Sequence, residues 1–180
     1  MSDMSPAMTF ADSWVRAVSE YGARTFLLFE EPSGTTATWT YAEFDRIVEG
    51  VANRLSECGV KTGSAVHLAL ANSPAFVAVW LAANRMGAWI VPSDPMARQP
   101  ELADHLERTR PSVGLCAGDR ADVYRSALVD AGVSAEVIEV NEADASSFPS
   151  SGAAYTDWAT PTLSDRAAVM FTSGTTGRPK

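Results

Sequence analysis

The sequence predicts an α/β fold: a mostly parallel sheet flanked by helices, preceded by an N-terminal helix and a β-hairpin. Three observations predict it. From residue 41 to residue 140, segments with apolar side chains at helical spacing alternate with short apolar runs, the pattern of a parallel sheet with crossover helices. The segment Pro74 to Met86 is apolar nearly all round, so it belongs between layers rather than on a surface. Before that unit, two strand-like runs flank the turn Glu31-Pro32-Ser33-Gly34, as a hairpin requires.

Taken in order, residues 9–21 form the first helix, with Phe10, Trp14, Val15 and Val18 on one face and Gly22 at its end. Strands at 25–30 and 36–39 make the hairpin. Thr40 then caps a helix, with Glu43 three residues on completing a capping box. Phe44, Ile47, Val48, Val51 and Leu55 give that helix its apolar stripe, and Gly59 terminates it. A strand follows at 64–70, and Pro74 sits at the first position of the next helix, a place where its missing N–H is harmless. Residues 88–91 form a short strand and 92–95, Pro-Ser-Asp-Pro, a loop restricted twice by proline. A helix at 100–108, a strand at 112–116, a helix at 120–130 and a strand at 135–140 complete the alternating unit. Residues 141–164 read as a long polar connector whose apolar anchors are Phe148, Tyr155 and Trp158. The run Ala167-Ala168-Val169-Met170-Phe171 reads as a last, buried strand.

Composition narrows the class. With 46% hydrophobic and 20% charged residues, the 180-residue chain has the make-up of a soluble globular protein. A net charge of −8 argues against a nucleic-acid partner or an anionic membrane surface. The longest apolar run, residues 75–83, is too short to span a bilayer, and the first residues lack the basic-then-apolar order of a signal peptide; a cytoplasmic protein is expected. Cys58 and Cys116 form no CxxC pair and are expected as buried free thiols. His67 and His105 share no metal-ligand spacing, so both are expected to be structural, and no metal ligands are assigned.

The strongest chemical signal is the string Thr172 to Lys180, TSGTTGRPK. Four hydroxyls (Thr172, Ser173, Thr175, Thr176), two glycines (Gly174, Gly177) and one of the only two lysines follow the last apolar run. Glycines let successive N–H groups converge on an anion, hydroxyls add donors, and Lys180 adds a cation. The spacing is not that of a Walker loop, since Arg178 and Pro179 separate Gly177 from Lys180 and no hydroxyl follows. Composition alone would suit a surface turn; the order of the residues is what distinguishes this string.

That string resembles, nearly residue for residue, the phosphate loop of the adenylate-forming superfamily of acyl- and aryl-CoA synthetases, peptide-synthetase adenylation domains and luciferases. Two further segments match in order: WTYAEF at 39–44 resembles the early TYxEL block, and NRMGAWIVPSDP at 84–95 resembles the KxGAxxVPxxP block. Asp165 stands where an acidic residue commonly precedes the loop strand. The resemblance covers about residues 25–180 and implies the first part of the large N-terminal, AMP-binding domain: an alternating unit at 41–140, a connector at 141–164, and a strand plus phosphate loop at 165–180.

The resemblance further implies an ATP-dependent carboxylic acid–CoA ligase, which forms an acyl-AMP and then an acyl-CoA thioester. Thr172, Ser173, Thr175 and Thr176 would contact the β- and γ-phosphates, Gly174 and Gly177 would allow the loop's shape, and Lys180 would balance the charge of the departing pyrophosphate. ATP, Mg²⁺ and coenzyme A are the implied co-substrates. The implied partners are a small carboxylic acid and the rest of the same enzyme chain, and a homodimer is compatible. A terminal loop without support on its far side would fray, so the chain reads as the N-terminal part of a longer enzyme, inactive by itself, or as one completed by a second polypeptide. Loading of a phosphopantetheine carrier protein, catalysis of the thioester half reaction alone, and a non-catalytic interaction module with an enzyme-like fold remain open at this point.

Overall fold

The computed structural model describes residues 7–31, 33–144, 148 and 155–171. It opens with helix α1, Phe10–Tyr21, and a separate antiparallel hairpin of β1, Thr25–Glu30, and β2, Thr36–Thr40. The alternating unit follows as α2 (Tyr41–Glu57), β3 (Ala65–Ala69), α3 (Pro74–Arg85), β4 (Trp89–Pro92), α4 (Gln99–Thr109), β5 (Val113–Ala117), α5 (Ala121–Ala131) and β6 (Glu136–Val140). Its four strands are all parallel and lie in the order β4-β3-β5-β6. The predicted α/β class and element order therefore hold, with boundaries shifted by a residue or two. A short 3₁₀ turn at Gly118–Arg120 ahead of α5 was not expected.

The helix starts follow from side-chain chemistry. Thr40 accepts from the Glu43 amide at 3.2 Å, and Glu43 accepts from the Thr40 amide at 2.8 Å, closing the predicted capping box on α2. These bonds to Thr40 hold the Glu43 carboxyl below its ordinary range. A second box, Thr9 with Asp12, caps α1. On α2 the predicted stripe is buried at Phe44, Val48, Val51 and Leu55, while Ile47 is half-buried. Each fully buried side chain of this size contributes about 1.5–3 kcal/mol of transfer free energy.

Period-2 alternation sorts the sheet's two faces. Val66, Leu68, Ile90, Val113 and Leu115 point into the larger core with α2 and α3. The alternate positions on the opposite face carry Ala69 and Cys116 against α4 and α5. Helix α3 is buried along most of its length, as its composition predicts, but Phe76, Val77 and Trp80 are only partly covered. Above it, the hairpin and α1 close an aromatic cluster in which Trp14 meets Phe26 at 4.7 Å and Phe26 meets Phe44 at 5.1 Å between ring centroids.

One carboxylate oxygen ties three helices together. Asp45 Oδ1 on α2 accepts from Trp14 Nε1 on α1 at 2.7 Å and from Arg85 on α3 at 2.7 Å. The Arg85 guanidinium also lies 3.7 Å from the Trp158 ring centroid. Asp45→Ala leaves the Trp14 N–H and the Arg85 charge without this partner. Because the ion pair is partly exposed, the expected loss of stability is about 2 kcal/mol, below that of a fully buried pair; urea denaturation of the variant checks it.

The run 167–171 departs from expectation. It is not a buried strand but makes one isolated parallel bridge, Ala168 to Ile90, on the outer edge of β4. Met170 is 62% exposed. An apolar run signals burial without saying on how many sides, and here one side faces solvent. Cys116 is fully buried and Cys58 half-buried. Both thiols are pushed up to about 11, chiefly by burial, which makes them poor nucleophiles.

Candidate functional site

In open parallel sheets, ligands bind beyond the carboxyl ends of the strands. The segment that leads toward the candidate loop is held along β4 and ends beside helix α4. Ile90 N donates to Ala167 O at 3.1 Å, and Val169 N donates to Ile90 O at 2.9 Å. Asn84, 6% exposed at the end of α3, donates its side-chain amide to Ala167 O at 3.2 Å. Asn84 and Ile90 both belong to the 84–95 block singled out in the sequence, so part of that block's role is to hold this segment. Asp165 accepts from both the backbone and the hydroxyl of Thr162, at 2.6 and 3.1 Å, making a local turn. The connector ahead of it is pinned where its anchors predict: Phe148 is buried, and Tyr155 packs edge-on against Trp158 at 4.6 Å.

On the sheet face covered by α4 and α5 lies a buried polar chain. Tyr124 Oη on α5 is 2.8 Å from His67 Nδ1 on β3. His67 Nε2 is 2.9 Å from Ser93 Oγ, just past the end of β4, and Ser93 Oγ is 2.7 Å from His105 Nδ1 on α4. His67 and Tyr124 are fully buried and His105 is 9% exposed. Burial pushes His67 down to about 3, with His105 adding in the same direction. His105 is also lowered by burial, opposed by Asp104 and Glu101 and assisted by Arg108. Tyr124 is raised well above its ordinary value by burial. The ring of His105 then stacks on Phe171, at 3.8 Å between centroids and 12° between planes. Arg108, one turn further along α4, places its guanidinium 4.9 Å from the centre of the same ring.

The sequence predicted His67 and His105 to be structural, with no metal-ligand spacing between them. The structure joins them through Ser93 and stacks His105 on Phe171, the residue that precedes the candidate loop. Among the described residues, no group of three His, Cys, Asp or Glu side chains is arranged to hold a metal. The space this chain needs comes from Gly114, which pairs with His67 across β3 and β5. A Cβ at Gly114 would lie 2.1 Å from Tyr124 Oη. A glycine inside a strand pattern is the signal that marks such close approach, and the sequence reading passed over it.

The candidate phosphate contacts themselves, Thr172, Ser173, Gly174, Thr175, Thr176, Gly177 and Lys180, lie outside the described residues. Two open depressions occur elsewhere, of about 330 Å³ beside Lys61, Thr62 and Trp158 and about 160 Å³ beside Asn84, Gly87 and Arg166. They border Thr62 and Gly87, which precede β3 and β4, and so lie toward the amino ends of those strands. None of the described helices is long and apolar enough to cross a membrane.

Comparison with known proteins agrees with this fold. Crotonobetaine/carnitine–CoA ligase of Citrobacter koseri is 28% identical over 189 residues, covering 99% of this chain and 36% of that enzyme. The enzyme of the same name from Salmonella paratyphi B is 30% identical over 188 residues, with the same coverage of 99% and 36%. Among solved structures, an anthranilate CoA ligase in complex with anthranoyl-AMP matches with a TM-score of 0.80 at 20% identity, over 99% of this chain and 34% of that one. ATP-bound MatB from Rhodopseudomonas palustris matches with a TM-score of 0.71 at 25% identity, over 94% and 34%. The chain thus spans about a third of the length of these relatives. The profile of the family described as "AMP-binding enzyme" matches residues 14–180, and the chain belongs to that family.

Proposed function

We propose that the chain supplies the nucleotide-phosphate-binding part of an ATP-dependent carboxylic acid–CoA ligase. The observation that carries the reading is the string TSGTTGRPK at 172–180, within a family match that runs from residue 14 to residue 180. The names of the relatives, CoA ligases of crotonobetaine, carnitine and anthranilate, support coenzyme A as the thiol acceptor. In the first half reaction a carboxylate oxygen attacks the α-phosphorus of ATP, and the bond to the bridging oxygen of pyrophosphate breaks. In the second, the thiol of coenzyme A displaces AMP from the acyl carbon.

This chain's share of that chemistry is electrostatic. The hydroxyls of Thr172, Ser173, Thr175 and Thr176 and the loop amides donate to the β- and γ-phosphates, and the Lys180 ammonium offsets the charge that builds on the departing pyrophosphate. Gly174 and Gly177 let the backbone approach the anion. Among the described residues no group of three His, Cys, Asp or Glu side chains is arranged to hold a metal; Mg²⁺, entering with ATP, would help to neutralise the phosphate charge. The acid-binding and adenine-binding groups are assigned to the length of enzyme that this chain does not span, so the 180-residue chain alone is expected to release no pyrophosphate.

The test is acyl-adenylate formation by the full-length enzyme that carries this chain, with a panel of acids that includes crotonobetaine, carnitine and anthranilate. Thr176→Ala and Lys180→Ala are each expected to slow it about tenfold, the loss of one hydrogen bond to a charged group. Unchanged rates in both variants would remove the loop from the reaction. Transfer to a carrier protein in place of coenzyme A, in the same assay, would overturn the choice of acceptor alone.

A further inference from the structure

We propose that the buried chain Tyr124–His67–Ser93–His105 is a positioning device for the loop that follows Phe171, and that His105 is its positioning residue. The inference rests on the reading of residues 172–180 as a phosphate loop. It assigns to α4, and to the sheet face beneath it, the task of aiming that loop.

The hydrogen bonds have a direction. The buried Tyr124 hydroxyl has His67 Nδ1 as its partner at 2.8 Å, and a buried O–H that donated nowhere would forfeit its desolvation free energy. Tyr124 therefore donates to His67 Nδ1. A neutral imidazole with one nitrogen accepting carries its proton on the other, so His67 Nε2–H donates to Ser93 Oγ. The Ser93 hydroxyl, having accepted on that side, donates to His105 Nδ1. His105 is left neutral, with its proton on Nε2. Reversing the chain, with His105 Nδ1–H as the first donor, would end on a Tyr124 hydroxyl whose own proton has no acceptor. One direction is thus favoured, and it fixes both the protonation and the plane of the His105 ring.

That plane matters because of what lies on it. Phe171 is stacked nearly parallel to His105 and is covered by Arg108 as well. The backbone bonds from Ile90 and the amide of Asn84 hold residues 167–169; Phe171 itself packs against the cluster of Ala65, Trp89 and Val91, and the ring of His105 is the contact that α4 adds at this last residue before the loop. Any flat ring could stack on Phe171. A ring whose tilt is set by Ser93, and through it by a side chain paired into the centre of the sheet, presents that face in one orientation. Donors that meet an anion need this support, because small misplacements cost large factors in binding and rate.

Ser93→Ala removes the link at almost constant shape, and Tyr124→Phe removes its far end. Three quantities are measured on the full protein: hydrogen exchange of the amides of residues 168–171, the Kd for ATP with Mg²⁺, and the Kd for AMP, which lacks the β- and γ-phosphates. Both variants are expected to speed exchange at 168–171 and to raise the Kd for ATP about tenfold, while the Kd for AMP stays unchanged. Adding His105→Phe to Ser93→Ala keeps a ring against Phe171 without the unsatisfied nitrogen but with no bond to set its tilt, so the ATP affinity is expected to stay low; recovery of that affinity would trace the loss to the unsatisfied nitrogen and overturn the inference.

Unchanged exchange at 168–171, or faster exchange with ATP and AMP affinities both unchanged, overturns the inference. So does a fall in the two affinities together, the mark of a merely structural role. Thr176→Ala and Lys180→Ala serve as reference variants. If they weaken ATP binding and the network variants do not, the inference alone fails. If neither they nor the network variants affect it, or if the unaltered protein binds no ATP, the phosphate-loop reading fails and takes the inference with it.

Discussion

Gly114→Ala is expected to cost the protein about 3–5 kcal/mol, the range of the most damaging core changes. An added Cβ would stand 2.1 Å from Tyr124 Oη, 2.4 Å from Cζ and 2.5 Å from Cε1. Such separations cannot be absorbed by small adjustments. Tyr124, on α5, is fully buried among residues of α4 and the sheet, so its ring has no solvent-filled space to swing into. Moving it would also break the hydrogen bond to His67, leaving a buried nitrogen unsatisfied. Thermal denaturation checks the magnitude; for a chain of this size the loss corresponds to a fall in Tm of roughly 10 °C. A double-mutant cycle checks the cause. Tyr124→Leu clears the space and loses packing by itself, but it should be less harmful when combined with Gly114→Ala than the sum of the two. Strict additivity would show that the strain arises elsewhere.

The second large effect is with pH. His67 titrates at about 3 in the folded protein because it is buried and faces His105. An unfolded chain binds that proton near pH 6.5. The folded pKa is therefore below the unfolded one, and the stability in question is fully present above pH 6.5. It is lost as the pH falls from 6.5 toward 3, since the unfolded state takes up a proton that the folded state refuses. The limiting slope from one such group is about 1.4 kcal/mol per pH unit, and the whole span is on the order of 5 kcal/mol. His105, lowered in the same direction, adds to it. The groups that face the pair are Tyr124 from α5, Ser93 beyond β4, and Asp104, Glu101 and Arg108 from α4. Urea denaturation at a series of pH values should show stability falling between pH 6.5 and 5, before most carboxylates titrate. His67→Gln should be less stable at pH 8 and should show a shallower fall over that interval. An equal slope in the two proteins would place the acid sensitivity at other residues.

Local rules read well where they act locally. The capping box of Thr40 and Glu43, the stripe on α2 and the burial of α3 all follow from spacing, because a helix converts sequence distance into surface position. Rules about partners at a distance read less well. Ala167 to Phe171 has the composition of a core strand, yet its burial depends on what lies beyond β4, and composition holds no record of that. His67 and His105 carry no shared spacing; only the register that sets His67 opposite Gly114, and the turn that brings Ser93 past the end of β4, puts them within reach of one hydroxyl. At the candidate site, the order of residues in TSGTTGRPK carries the proposal, and the folded framework adds what precedes it: Asn84, Ile90 and His105 gripping the approach.

Among the described residues, the sheet's two margins have a consequence for behaviour at high concentration. One margin is β4, short, ending on Pro92 and partly capped by the bridge at Ala168; a proline offers no amide to an incoming strand. The other, among the described residues, is β6, where the exposed Glu136 and Glu139 pair with Arg54 and Arg125 and crowd the rim with charge. Both are devices that keep strands from zipping onto neighbours. Copies of this chain are thereby discouraged from joining their sheets into a continuous ribbon, the first step toward fibrous aggregates.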